Sequence, residues 1–332
     1  MTQEGARANV PQFANLPAYI EPAVQSMERE IVRKLTELPE NLLEAIDDNV
    51  AACEGHQPTT SGSPFDQISN GKQITHTDIG KSNLRGEYES MKAIHAVMPE
   101  FVPEPVAVGT YASNSDVHFY LMGFLDMTDE TPGPEALPKK VAEMHEKCTS
   151  PNGNYGFHVP TNMGALVQPN TWNESWESYY TDMLQRCFKW EQAMHGKNPE
   201  MEELFEVIVL KVIPRLLRPL ETGGNEIQPC LVHGDLWDGN TSTDADDDRP
   251  LIFDASSTYA HNEFELAPWS LDRHQIYKQY IWEYRKHFAR SQPEEDFEGR
   301  LRLYALAIED MRYLVSQYPE GYEGKESRKG TA

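Results

Sequence analysis

The sequence has few cysteines and no long apolar run. Its four cysteines lie far apart and form no C-x-x-C pair, which excludes an evident zinc site or disulfide framework and indicates reduced thiols. No apolar run approaches the roughly 20 residues that a membrane-spanning helix needs. The opening residues, MTQEGARANV, lack the basic and apolar regions of a secretory signal. We therefore expect a cytoplasmic protein that does not contact membranes.

Basic residues are also scarce. The 332 residues include 29 Lys and Arg against 53 Asp and Glu, which gives a formal net charge of −24. So acidic a surface repels phosphate backbones and anionic lipids, and we expect no nucleic-acid partner. A local pocket can still oppose this field and bind an anionic small molecule. With 39% hydrophobic and 25% charged residues, the composition is that of a globular protein.

Periodicity and composition divide the chain into four regions. Residues 1–50 read as a loose tail and a helical extension, with a helix over 18–38. Region 51–125 begins with loops and at most a short strand, followed by a helix containing Glu87 and strands over 106–111 and 117–124. The acidic, Pro-rich segment DMTDETPGPEALP then marks a boundary. Region 126–322 is mostly helical, and 323–332 is a polar tail.

The larger region is predicted to contain five helical segments around a strand pair. Thr171 and Glu174 have the spacing of a capping box for a helix running toward Met194. The segments CLVHGD and PLIFDAS read as two apolar strands joined by the turn TSTDADDDR. The other predicted helical segments cover 137–148, 201–220, 272–288 and 300–318. The fold class is therefore α+β with two lobes, the smaller with strands and one helix, the larger mainly helical with a strand hairpin.

This hairpin carries the residues with the most chemical content. Asp235 and Asn240 follow its first strand in LVHGDLWDGN, and Asp254 ends the second in LIFDAS. Two carboxylates and an amide oxygen form a site that suits Mg²⁺ together with substrate phosphates. One carboxylate left off the metal can orient a hydroxyl nucleophile, as in phosphoryl transfer. Each fragment alone also fits an ordinary turn, but their combination indicates phosphotransfer.

The pattern H-G-D-x-x-x-x-N followed by I-F-D resembles the kinase-like phosphotransferases of the aminoglycoside and choline kinase type. The version HGDLWxGN is typical of the fructosamine kinase, or ketosamine-3-kinase, family, and TSPNGNYGFHVPTNMG, QPNTWNESWESYY and IFDASSTYAHNEFELA are similar to other segments of it. The resemblance covers roughly residues 84–321. It implies a bilobal protein-kinase-like fold, with 51–125 as a shortened nucleotide-binding lobe and 126–322 as the catalytic and substrate-binding lobe.

The resemblance also implies roles for single residues in the larger lobe. Asp235 resembles the catalytic aspartate that accepts the proton of a sugar 3-hydroxyl. Asn240 and Asp254 resemble the Mg²⁺ ligands, and His233 the histidine that supports the catalytic loop. The family uses ATP to phosphorylate fructosamine or ribulosamine adducts on protein lysines or on small amines. The phosphorylated adduct then decomposes, which repairs the glycated amine.

In the smaller lobe the resemblance is incomplete. Glu87 resembles the helix glutamate that pairs with a phosphate-binding lysine, and Met122 and Phe124 resemble the hinge whose backbone meets adenine. The alignment places Gln73 where that lysine is expected, with Lys72 one residue earlier and therefore on the opposite face of a regular strand. Lys72 serves as the ATP ligand only if the strand bulges or slips.

Lys81 is a second candidate lysine, but it lies close to the start of the glutamate helix, where a solvated role is favoured. Only Ser61-Gly62-Ser63 could stand for the nucleotide loop. A divergent kinase and a gene model that has lost coding sequence both explain the difference. Three functions stay open: a ketosamine kinase, a pseudokinase-like binding protein, and a small-molecule kinase of the aminoglycoside or choline type.

Five further residues or groups of residues have ordinary structural interpretations. Trp237 either stacks on substrate or packs under the catalytic loop. Glu265 either braces that loop or binds the substrate amine, and bracing is favoured. His145 is expected to pack within the fold or to cap its helix, and the acidic run at 244–248 to form a solvated turn. Core or lobe-interface positions are predicted for Trp172, Trp176, Tyr179 and Tyr180.

Overall fold

The computed structural model describes residues 70–75, 78–111, 114–164 and 166–322. The predicted helix over 18–38, the Ser61-Gly62-Ser63 segment and the tail at 323–332 lie outside these ranges. Within them the chain has the predicted α+β organisation, with a small sheet and one helix followed by a mainly helical part. No helix in the described ranges is both long and apolar enough to cross a membrane.

The smaller part is built on a three-stranded antiparallel sheet. Its strands are β1 (Asn70–Thr75), β2 (Pro105–Tyr111) and β3 (Asn114–Gly123), in the order β1-β3-β2. The alternation along β3 divides its buried side chains between two faces. Phe119 and Leu121 join a small cluster on one face, whereas Tyr120 joins the main core. The predicted strands over 106–111 and 117–124 are confirmed.

Helix α1 (Asp78–His95) packs on this sheet and also reaches the larger part. Gly86 lies so close to the neighbouring backbone that a Cβ atom there would be 2.9 Å from the carbonyl oxygen of Pro160. The Ser90 hydroxyl accepts a hydrogen bond of 3.0 Å from the backbone N–H of Ser257. These two contacts hold α1 against the larger part, and Glu87 lies between them in the sequence. The helix buries four apolar side chains: Leu84, Tyr88, Met91 and Ile94.

The described residues of the larger part contain seven α-helices. They are α2 (Ala136–Lys147), α3 (Trp176–His195), α4 (Pro199–Val207), α5 (Ile213–Leu217), α6 (Lys278–His287), α7 (Phe297–Tyr304) and α8 (Ile308–Gln317). A π-helical turn over Ile208–Val212 joins α4 to α5. The main core continues from α1 into α2 and α6, while a second core is centred on Trp176. A short hairpin, β4 (Thr161–Met163) with β5 (Leu166–Gln168), precedes α3.

The predicted start of α3 is wrong. The helix is capped by Ser175, not Thr171, because the segment before it runs as an extended bridge in which Asn173 pairs with Tyr155. The Glu221 carboxylate accepts a hydrogen bond of 2.9 Å from the backbone N–H of Trp176. A negative charge is stabilising at a helix N-terminus.

The single helical segment predicted over 300–318 is also wrong, because the helix breaks between α7 and α8. At the break, Asp310 accepts a hydrogen bond from the backbone N–H of Ala307, which begins a new helix. Leu306 is buried there. The break therefore serves tertiary packing, which the helical periodicity of the sequence does not predict.

The strand pairing of the predicted hairpin is corrected by the structure. Strand β6 (Cys230–Val232) pairs with β9 (Thr258–Ala260), whereas β8 (Pro250–Ile252) pairs with β7 (Thr241–Thr243). The polar sequence of β7 falls in the segment predicted as a turn, but its side chains are buried, and the Ser242 hydroxyl donates to the Thr128 carbonyl at 2.6 Å. The loop after β6 and the loop after β8 consequently lie side by side.

Candidate active site

The loop at 233–240 begins at a buried histidine. The backbone carbonyl of His233 accepts a hydrogen bond of 2.8 Å from Ser256. The Nε2 of the ring lies 2.9 Å from the carbonyl oxygen of Phe253, and the backbone N–H of Asp235 donates to Nδ1 at 3.3 Å. His233 thus fixes the backbone of Asp235 against the loop that follows β8.

Gly234 permits the sharp turn that presents Asp235. Its φ is +85°, and a Cβ atom there would be 2.2 Å from the carbonyl oxygen of Ser256. Only glycine fits both the left-handed conformation and the close approach. The next residue, Asp235, is exposed to solvent, whereas His233 is fully buried. The turn therefore carries the chain from the core to an accessible carboxylate within two residues.

Beneath this turn lies the buried carboxylate of Glu265. It accepts hydrogen bonds from the backbone N–H groups of His233 and Gly234, the latter at 3.1 Å, and His145 Nε2 lies 3.5 Å away. Burial alone would raise the pKa of Glu265, but His145, His233 and the backbone N–H outweigh burial and lower it. An ionised Glu265 therefore lies directly below the loop, in the bracing position favoured from the sequence.

Asn240 closes the other end of the loop. Its side-chain Nδ2 donates to Asp235 Oδ2 at 3.0 Å and to the Asp235 carbonyl at 2.8 Å. Its backbone N–H donates to Trp237, and its carbonyl accepts from Phe253. With the amide nitrogen committed to Asp235, the amide oxygen is the Asn240 atom suited to a cation.

The loop after β8 supplies Asp254, which has a left-handed φ of +61°. The side chain of Gln73 donates to Asp254 Oδ1 at 2.9 Å and to Glu87 Oε1 at 3.1 Å. Strand β1, helix α1 and the loop after β8 thus meet at one point. The structure brings Glu87 and Asp254 together on Gln73. The backbone N–H of Phe253, the residue before Asp254, donates to the carbonyl of Asn240, whose side chain contacts Asp235.

A further residue near Gln73, Tyr120, was missed from the sequence. It lies opposite Gln73 in the register of β1 and β3. Its hydroxyl is buried without a hydrogen-bond partner among the described residues. Burial raises its pKa, and the nearby charges of Glu87 and Asp254 raise it further. The strand register was the signal that could have identified it, because Gln73 and Tyr120 are cross-strand neighbours.

The other residues predicted to bind nucleotide lie on the same sheet and helix. Lys72 is opposite Leu121 in β1, and Lys81 is exposed on α1. Met122 and Phe124 flank Gly123 at the predicted hinge. The backbone N–H of Gly123 donates to the Glu104 carbonyl at 2.7 Å. The roles of these residues in nucleotide binding stay predictions.

Trp237 and its neighbours form the outer side of the loop. Its ring centroid is 5.6 Å from that of His274, whose Nδ1 lies 3.1 Å from Asp238 Oδ1. Trp237 is half-buried, so one part of its surface packs and another faces solvent. This geometry suits both predicted roles, packing and substrate stacking.

The remaining sequence interpretations have clear positions in the structure. His145 is buried and contacts the Tyr284 hydroxyl at 2.8 Å. The acidic run is not wholly solvated, because Asp244 is buried and pairs with Arg249 at 2.6 Å. Three of the four aromatic residues assigned to the core are buried, and Trp172 is half-buried: the buried three are Trp176, Tyr179 and Tyr180.

The donor set at the centre fits a magnesium ion better than zinc. In the described ranges, no group of three or more His, Cys, Asp or Glu side chains is arranged to hold a metal. Asn240 and Asp254 instead offer one amide oxygen and one carboxylate. Mg²⁺ is usually bound by few protein carboxylates, with waters and phosphate oxygens as its other ligands.

Comparison of the sequence with known proteins identifies the family. The fructosamine kinase family model matches residues 75–318. A chloroplastic protein-ribulosamine 3-kinase of Oryza sativa subsp. indica is 32% identical over 201 residues, which is 58% of this chain and 54% of that protein. The ketosamine-3-kinase of Mus musculus is 32% identical over 208 residues, which is 55% of this chain and 63% of that protein. The matched segment thus spans less than two thirds of either relative.

Solved structures share the fold. A Haemophilus somnus 129PT protein named as a fructosamine-3-kinase superposes with a TM-score of 0.58 at 16% identity, over 83% of this chain and 96% of that chain. One from Thermobifida fusca gives a TM-score of 0.53 at 20% identity, over 76% and 87%. The fold is therefore kinase-like. Since the family model spans most of the chain and includes the loop of Asp235, the chain belongs to the fructosamine kinase family.

Proposed function

We propose that this protein is an ATP-dependent ketosamine 3-kinase. It transfers the γ-phosphoryl group to the sugar 3-hydroxyl of ribulosamine or fructosamine adducts, carried by protein lysines or small amines. The observation that carries the proposal is the exposed Asp235 carboxylate, which is hydrogen-bonded to Asn240 and held by the loop that Glu265 braces. The relatives named protein-ribulosamine 3-kinase and ketosamine-3-kinase support the substrate class.

We propose that Asp235 carries out the proton transfer, a role that its exposure and its hydrogen bond with Asn240 support. Its carboxylate accepts the proton of the sugar 3-hydroxyl as that oxygen forms its bond to the γ-phosphorus. The bond between the γ-phosphorus and the bridging oxygen breaks, and ADP leaves with the electron pair. Asn240 fixes the orientation of Asp235 through the Nδ2–Oδ2 hydrogen bond of 3.0 Å. Positioning of this kind supplies much of the catalysis in phosphoryl transfer.

Asn240 and Asp254 would hold Mg²⁺ when ATP is bound. The ion then supplies charge neutralisation on the phosphate oxygens. Met122 and Phe124 are proposed to meet the adenine, and Glu87 contributes through the group that contains Gln73. Phosphorylation of a glycated lysine leads to decomposition of the adduct, so the biological result is protein deglycation.

A second candidate function is a catalytically impaired binding protein. The observation that favours it is the contact of Glu87 with a neutral amide at Gln73. A lysine in that contact would add positive charge beside the ATP phosphates, which an amide does not.

Phosphate transfer to defined acceptors tests the proposal. Purified protein is given Mg-ATP with a ribulosamine-lysine peptide, a fructosamine-lysine peptide, kanamycin or choline, and ADP release is measured. We expect turnover with a ketosamine, none with kanamycin or choline, and loss of turnover in Asp235→Asn. Turnover only with kanamycin or choline would contradict the ketosamine assignment. Binding of Mg-ADP without turnover on any acceptor would favour the binding protein.

A further inference from the structure

One amide group joins carboxylates from both parts of the molecule. Gln73 Nε2 is 3.1 Å from Glu87 Oε1 and 2.9 Å from Asp254 Oδ1. Glu87 belongs to α1, whereas Asp254 lies 181 residues beyond Gln73 in the loop after β8. An amide nitrogen carries two hydrogens, so these contacts occupy both of them. The orientation of the Gln73 side chain is thereby fixed.

The residues that make these contacts are buried or half-buried, as in a binding site, and not exposed on the surface. Glu87 is buried, and Gln73 and Asp254 are half-buried. The cross-strand neighbour of Gln73, Tyr120, buries a hydroxyl that has no hydrogen-bond partner among the described residues. Leaving a buried polar atom unpaired costs free energy, and such an atom is often explained by a ligand or a catalytic role. A bound molecule with acceptor atoms would satisfy this hydroxyl.

The amide also acts differently from a cation in the same place. It restrains the Asp254 side chain, whose backbone already has an uncommon left-handed conformation. It donates to the carboxylates without neutralising either charge. Asp254 therefore keeps its negative charge for a cation, while Gln73 in the smaller part sets the direction of the Asp254 side chain.

We propose that Gln73 is a positioning residue that orients Asp254 for magnesium–nucleotide binding and couples it to Glu87. Gln73 acts through Asp254 and takes no proton in the reaction. The expected effect of Gln73 on phosphate transfer rests on the proposed kinase function, whereas its expected effect on Mg-ADP binding does not. Loss of the amide donor therefore weakens the binding of the magnesium–nucleotide complex more than it changes folding.

Isothermal titration calorimetry with Mg-ADP, over a series of Mg²⁺ concentrations, measures the effect without turnover. Gln73→Met preserves the approximate side-chain length and removes the donor. The same Gln→Met change at the exposed residue Gln279, on α6, is the matched control. Lys72→Met compares the neighbouring position on β1. Thermal unfolding of each variant reports on the fold.

We expect Gln73→Met to weaken Mg-ADP binding by about tenfold, because a hydrogen bond to a charged group is lost, and to require more Mg²⁺ for half-saturation. Gln279→Met should bind like the parent. The proposal would be overturned if Gln73→Met had the same Mg-ADP affinity as the parent and needed the same Mg²⁺ concentration for half-saturation. A larger loss in Lys72→Met than in Gln73→Met would also overturn it.

The two proposals fail separately. If the parent transfers phosphate to no ketosamine but Gln73→Met loses Mg-ADP affinity, the role of Gln73 stands and the kinase function fails. If the parent is an active kinase and Gln73→Met retains its KM for ATP and its kcat, the role of Gln73 fails alone.

Discussion

The Glu265 carboxylate accepts a hydrogen bond of 3.1 Å from the backbone N–H of Gly234, which lies 31 residues earlier in the chain. Glu265→Gln places an amide N–H against one of the two backbone donors and removes a buried charge. A hydrogen bond to a charged group contributes about 1.5–3 kcal/mol, so we expect a fall in kcat of at least about tenfold. Steady-state kinetics with a ketosamine acceptor measures it.

The KM for ATP separates this effect from general damage. Glu265 contacts the loop backbone and no predicted nucleotide ligand, so Glu265→Gln should change KM by less than about threefold, because the lost interaction acts in the transition state. An unaltered kcat in a folded Glu265→Gln protein would show that the loop needs no ionised brace.

Gly234 should tolerate no side chain. Gly234→Ala forces a Cβ atom toward the Ser256 carbonyl and a left-handed conformation that costs an L-residue about 1–2 kcal/mol. We expect loss of activity and a lower free energy of unfolding in urea. Gly133→Ala is the matched control, because a Cβ atom there meets nothing within 4 Å. Equal effects of the two substitutions would contradict the close approach.

The buried pair of Arg300 and Glu263 should matter more than an exposed pair. Arg300 Nε is 2.6 Å from Glu263 Oε2, and both side chains are almost fully buried. Arg300→Met leaves the carboxylate without its partner, which costs about 3–5 kcal/mol of unfolding free energy. Arg312→Met removes an ion pair of the same length to the exposed Glu200 and should leave the urea midpoint unchanged. Equal shifts in the two variants would show that burial does not determine the cost.

His261 should make stability depend on pH. Its ring is fully buried between the Tyr304 and Ser291 hydroxyls, and burial, followed by Arg300 and His145, lowers its pKa well below 6.5. The unfolded chain takes up a proton below about pH 6.5 that the folded chain does not, so this contribution is complete above that pH and is lost as the pH falls.

Urea unfolding from pH 7.5 to 5.5 measures the effect. The parent should lose stability by up to about 1.4 kcal/mol for each pH unit below 6.5 because of this residue. His261→Gln should be less stable at pH 7.5 and should have a shallower slope below pH 6.5. The same slope in parent and variant would assign the pH dependence to other groups.

Local patterns in the sequence predicted much of this fold. The alternation of buried residues identifies β2 and β3, and the two apolar segments ending in Asp235 and Asp254 predict a shared site. The contacts that the sequence did not predict join residues that are distant in the chain. Glu221 caps α3 from 45 residues away, and Gln73 contacts Asp254, which lies 181 residues further along the chain. Hydrophobic periodicity carries no information about such pairs.

Buried polar side chains explain the second main difference between the predicted and the observed fold. The sequence of β7 is polar, so it reads as a turn, yet the neighbouring Thr128 carbonyl satisfies the Ser242 hydroxyl and allows burial. The hairpin that holds Asn240 is consequently β7 with β8, and the strand before Asp235 pairs with β9.

The most direct test of the proposed reaction is the position and rate of phosphorylation on a ribulosamine-lysine peptide. Phosphorus-31 NMR locates the phosphate, with Mg-ATP present and the parent compared with Asp235→Asn. We expect phosphate on the 3-oxygen with the parent, and a rate lower by about 10²–10⁴-fold in Asp235→Asn, because a positioned base is lost. Mg-ADP binding should persist in that variant. Phosphate on another oxygen, or the parental rate in Asp235→Asn, would contradict the account.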